Sequence, residues 1–69
     1  MYEEAQRTMG QWCITLRAQR DVALPWRAVA IDPQGNGTFS TGFSREDALT
    51  HIADKIGLDP QVALQEFGL

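Results

Sequence analysis

The sequence predicts a small α+β domain in which a three-stranded antiparallel sheet is covered by one main helix, in the order β-β-β-α-α. Three observations predict it. Gly42 to Gly57 carries the start and stop signals of one complete helix, Gln11 to Gln19 alternates as a half-buried strand does, and Asn36-Gly37 separates two further strand-like runs.

The helix is the best-specified element. Ser44 is followed three residues later by Asp47, a capping-box pattern, and Glu46 adds negative charge to the first turn, so the helix begins at Arg45. Leu49, Ile52, Ala53 and Ile56 fall at i, i+3, i+4 and i+7, an apolar stripe, while Arg45, Glu46, Asp54 and Lys55 point elsewhere. Such a helix lies on a sheet. Gly57 supplies the left-handed residue that stops it, with Leu58 placed to fold back on the last turn. Asp59 then offers an N-cap and Pro60 a first-turn proline, so Pro60 to Phe67 reads as a short second helix stopped by Gly68.

Before the helix come the strands. Tyr2, Ala5, Gln6 and Met9 have helical spacing ahead of Gly10, and residues 1–10 read either as a short helix or as a flexible arm. In the first strand Trp12, Ile14, Leu16 and Ala18 face one way, Gln11, Thr15, Arg17 and Gln19 the other. Arg20 to Leu24 is a connection. Trp26 to Asp32 forms the second strand, whose core face is left open, since Trp26 argues for one side and Val29 with Ile31 for the other. Asn36-Gly37 makes a hairpin turn, because both residues tolerate positive φ, and Thr38 to Phe43 is a short third strand with Phe39, Thr41 and Phe43 on one face. The whole of residues 1–69 is one domain.

Length limits what this domain does alone. Sixty-nine residues bury a core that contributes roughly 3–5 kcal/mol at most. With one cysteine and one histidine, neither an intrachain disulfide nor a structural zinc site is available within the sequence. Oligomerisation, as a homodimer, or a partner is the expected supplement. No apolar run reaches the length of a membrane span, and MYEEAQRTMG lacks the basic and apolar regions of a secretion signal, so the expectation is a soluble, cytoplasmic protein. The net charge of −3 is unevenly spread: residues 1–27 hold four arginines against three acids, whereas residues 28–69 hold two bases against six acids.

Catalytic patterns are weak throughout. His51 stands on the helix beside Asp47, Ala48 and Lys55 without a nucleophile at a recognisable spacing, and Cys13 sits in a strand without a CxxC partner. Gly35-Asn36-Gly37-Thr38 lacks the Lys-Ser/Thr and helix of a phosphate loop, and Asp32 with Asn36 lacks the ligand set of a calcium loop. The expectation is a chain without catalysis, cofactor or metal.

A resemblance adds to this reading. Gly42-Phe43-Ser44-Arg45-Glu46-Asp47-Ala48, leading from strands into an amphipathic helix, resembles the segment that opens the covering helix in the N-terminal domain of HicB-type antitoxins, and the similarity spans residues 26–58. It implies a sheet-and-helix module that binds a protein partner or itself. Those antitoxins carry a separate C-terminal DNA-binding domain, and with only Pro60 to Leu69 remaining here the resemblance does not imply operator binding.

Three binding surfaces follow. The first is Trp12, Arg17, Trp26 and Arg27 on the first hairpin, aromatic and guanidinium groups suited to a protein–protein hot spot. The second is Glu46, Asp47, Asp54, Asp59 and Glu66, an acidic surface that would occupy the basic groove of a nucleic-acid-handling complex by charge mimicry, as small acidic phage inhibitors do. The third takes the same Trp and Arg residues as a platform for single-stranded nucleic acid, a reading the acidic total disfavours. Protein–protein contact through the first surface is the expectation.

Overall fold

The computed structural model describes residues 4–19 and 22–69, and for Glu4 the backbone alone. The element order is β1 (Glu4–Met9), β2 (Trp12–Ala18), β3 (Trp26–Ile31), β4 (Gly37–Gly42), α1 (Arg45–Ile56) and α2 (Pro60–Glu66). The four strands form one antiparallel meander in sequence order, with β1 and β4 at its edges. The expected three strands are thus corrected to four. The added strand is β1, where helical spacing suggested a short helix or an arm; Tyr2 of that spacing lies outside the described residues, as do Arg20 and Asp21 of the β2–β3 connection.

Gly10 explains why β1 is a strand. Met9 pairs with Trp12, which leaves Gly10-Gln11 as a two-residue loop, and Gly10 has φ 60° at the position where a primed hairpin turn requires positive φ. Ala5, Arg7 and Met9 then face the same side as Leu16, Ile14 and Trp12. Arg7 interrupts this apolar row, and its charge is accommodated at a distance: Nε donates to the Glu66 carbonyl at 3.2 Å, and the guanidinium lies 5.7 Å from the Phe67 ring centre. A cation at the last carbonyls of α2 also complements that helix's dipole.

Both helices cover one side of the sheet. Ile14, Leu16, Ala28, Ala30, Ala48, Leu49, Ile52, Ala53 and Ala63 are buried with Met9, and Trp12, Trp26, Leu64 and Phe67 pack around them. The open question at β3 is answered by size. Ala28 and Ala30 face α1 and are fully buried, and on β4 Ser40, paired with Ala28, and Gly42, paired with Trp26, are buried on the same side, so small residues let the helix approach closely. Val29 and Ile31 consequently face the other way.

The helix ends follow their local chemistry. The Ser44 hydroxyl accepts from the Asp47 amide at 3.1 Å, while Oδ2 of Asp47 accepts from the Phe43 amide at 3.0 Å. Gly57, at φ 76°, closes α1, and the Leu58 amide returns to the Ala53 carbonyl at 2.9 Å. Asp59 caps α2 by accepting from the Gln61 amide at 2.9 Å. The β3–β4 turn differs in detail from the expected Asn36-Gly37 pair. Gly35 carries the positive φ, 87°, Gly37 is already paired with Ile31, and Asp32 organises the loop by accepting from the Gln34 and Asn36 amides at 3.0 and 2.9 Å.

Candidate functional site

The side of the sheet away from the helices is uncovered. Register places Gln6, Thr15, Val29 and Phe39 in one row across it, flanked by Thr8, Cys13, Ile31 and Gly37 on one side and by Glu4, Arg17, Arg27 and Thr41 on the other. Ile31 is 46% exposed and Phe39 49%, and Phe43, just beyond β4, is 74% exposed. Apolar side chains of this size contiguous on one face of a small domain mark a contact surface more often than they occur by chance. Two cations approach the Phe39 ring: the Arg27 guanidinium carbon lies 4.2 Å from its centre and Lys55 Nζ 5.7 Å.

The expected hot spot is divided by the sheet. Arg17 and Arg27 lie on the open face at directly paired positions, whereas Trp12 and Trp26 lie on the helix side, packed against the core, with the Arg45 guanidinium 5.6 Å from the Trp26 ring. The structure therefore joins the two arginines to Val29, Ile31 and Phe39, none of which the sequence reading singled out as a site. A strand period of two carries this separation already, because Trp26 and Arg27 are neighbours and Trp12 and Arg17 are five apart.

The acidic residues are scattered by comparison. Asp47 and Asp59 are engaged in capping α1 and α2, Asp54 lines a shallow groove with Phe39, Ser40, Thr41, His51 and Lys55, and Glu46 and Glu66 are exposed, one in the first turn of α1 and the other at the end of α2. Two of the five thus have a structural task. His51 has one as well. Its Nδ1 lies 3.1 Å from the Thr41 carbonyl, so that nitrogen carries the proton, and Nε2 is 3.5 Å from Asp47. Cys13 is half-buried on the open face and accepts from the Gln6 side-chain amide. Among the described residues no three His, Cys, Asp or Glu side chains gather as metal ligands would.

Both sheet edges are blunted. Because the Asp32 amide donates to the Asn36 carbonyl, the outward carbonyls of β4 belong to Phe39 and Thr41, and Lys55 Nζ binds the first at 2.7 Å while His51 meets the second. On β1 the two-residue hairpin turns Gln6 and Thr8 outward, and Arg7 Nη1 binds the Gln6 carbonyl at 2.7 Å. Side chains that engage outward carbonyls, and a charge pointing inward on an edge strand, both discourage strand addition. The double variant Lys55→Ala, His51→Ala should keep the fold and self-associate through β4, read as a rise from one chain to two or more in light scattering; an unchanged mass would show that these contacts do not guard the edge.

Comparison with protein-family models, curated proteins and solved structures gave no match for this chain. Among the described residues no helix is long and apolar enough to cross a membrane.

Proposed function

We propose that this chain is a non-catalytic protein-binding module of the cytoplasm that works through the uncovered face of its sheet. The observation that carries the reading is the apolar surface of Val29, Ile31 and Phe39 on the one side that neither helix covers, while both edges are occupied by the chain's own side chains. The resemblance of residues 26–58 to the HicB-type antitoxin domain supports a binding role. The single-strand nucleic-acid reading is weakened, because both tryptophans pack on the helix side.

Affinity isolation from the native host tests this with paired variants. A protein retained by the wild type should be lost on Ile31→Asp or Phe39→Asp and kept on Glu46→Lys or Glu66→Lys, all four sites being exposed. The reverse pattern would overturn the reading in favour of an inhibitor acting through acidic helices. In purified form the module should scatter as one chain across a dilution series. A stable dimer dissociated by Phe39→Asp would make the partner a second copy.

A further inference from the structure

Asn36 is the only asparagine in the sequence, and a glycine follows it. The side-chain amide of an asparagine is open to attack by the main-chain nitrogen of the next residue, most readily where that residue is glycine and no Cβ obstructs the approach. The structure leaves this pair accessible. Asn36 and Gly37 are both exposed, at the point where the β3–β4 turn enters the edge strand. The Asp32 amide donates to the Asn36 carbonyl at 2.9 Å, so antiparallel alternation turns the Gly37 amide away from β3, and no acceptor meets it among the described residues. The Asn36 side chain is lightly held as well. Its Nδ2 donates to Oδ2 of Asp32 at 3.4 Å, the weak end of hydrogen bonding.

We propose that Asn36 is a modification site, at which the folded chain converts without an enzyme to aspartate and isoaspartate. A base in solution takes the Gly37 amide proton, and the nitrogen bonds to Cγ of Asn36. The Cγ–Nδ2 bond then breaks, and Nδ2 takes a proton from water and leaves as ammonia. Water opens the cyclic imide at either of its carbonyls, one route giving aspartate and the other isoaspartate. Both products lower the formal net charge by one from −3. Aspartate sets a carboxylate against Asp32 where an amide donated to it, and like charges at this spacing repel. Isoaspartate carries the main chain through the side-chain carbons. The carbonyl that accepts from the Asp32 amide becomes a free carboxylate, and the chain lengthens by one carbon just before Gly37 pairs with Ile31. Either change loosens the β3–β4 hairpin. This inference stands apart from the reading of the open face as a binding surface.

Peptide mapping by mass spectrometry, with the whole chain held in mildly alkaline buffer and sampled over days, tests this. The peptide that holds Asn36 should gain the mass of an amide turned to an acid. Its isoaspartate fraction should accept a labelled methyl group from S-adenosylmethionine through an isoaspartate-specific methyltransferase. The folded chain should convert within about tenfold of the rate in urea, because a turn opens locally at little cost. A reaction that needed the whole chain to unfold would run about a hundredfold or more slower for a core of this size. Gly37→Ala, whose Cβ meets only the Ala30 carbonyl oxygen and Ile31 Cγ1 at tight but relievable distances, should slow conversion several-fold. The urea arm reads that effect even if the variant does not fold. Asn36→Asp, which makes one product directly, should melt below the parent. Conversion in urea but none in the folded chain would overturn the proposal, as would a Gly37→Ala chain converting at the parental rate; an Asn36→Asp protein melting with the parent would overturn the loosening of the hairpin.

Discussion

Gly42→Ala should leave the chain largely unfolded. A Cβ built at Gly42 would stand 2.5 Å from the Ala48 amide nitrogen and 2.9 Å from the Asp47 carbonyl carbon, so its obstacles include backbone that has no rotamer to offer. The clash lies where β4 passes under the first turn of α1, and Gly42 is itself buried there. Relief requires moving α1 away from β4. That opens the layer around Ala48, Leu49 and Ile52, each fully buried. Overpacking costs about 1–3 kcal/mol where side chains adjust and more where backbone must move, against a core contribution of only roughly 3–5 kcal/mol for a domain of this length. Gly37→Ala is the internal control. Its Cβ would meet the Ala30 carbonyl oxygen at 3.3 Å and Ile31 Cγ1 at 3.4 Å, a tight contact that small shifts relieve. Circular dichroism and thermal melting should separate the two variants widely. A Gly42→Ala protein melting with the parent would mean that α1 does not sit this close to β4.

Ile52→Ala should come near to abolishing folding by the opposite route. Ile52 is fully buried on the stripe of α1 that meets the sheet, and its removal leaves a cavity between the layers. Truncations of this kind cost about 2–5 kcal/mol, which again approaches the whole stability of so small a core. The lighter Ile52→Val should cost about 0.5–1.5 kcal/mol and remain measurable in urea. Ile31→Thr, on the open face, should change stability by no more than about 0.5 kcal/mol, because that side chain is 46% exposed. A larger loss at Ile31 than at Ile52 would invert the assignment of faces, and with it the location of the binding surface.

Much of the helical half was legible locally because its signals are short-range. Ser44, Asp47, Gly57, Asp59 and Pro60 each act within a few residues, and the observed ends of α1 and the start of α2 fall where those residues place them. β1 was not legible. Its one short-range signal, Gly10-Gln11 as a two-residue hairpin, competed with helical spacing, and Arg7 occupies a position where alternation asks for an apolar residue. What permits Arg7 there is the end of α2, 59 residues further along the chain. The core face of β3 was hidden for a related reason. Large side chains usually point inward, yet the close approach of α1 reserves the inside for Ala28, Ala30, Ser40 and Gly42. At the candidate site, composition drew attention to Trp and Arg together, while the period of two separates them, and the apolar partners of the arginines emerge only from strand register.

The account turns on which side of the molecule engages a partner. The most direct measurement is amide-resolved NMR of the folded chain titrated with the protein retained from the native host, recording which backbone signals shift. The account predicts shifts concentrated on Thr15, Arg17, Arg27, Val29, Ile31 and Phe39, with α1 and α2 quiet beyond the residues bordering β4. Shifts concentrated instead on Glu46, Asp54 and Glu66, with the sheet unmoved, would contradict it.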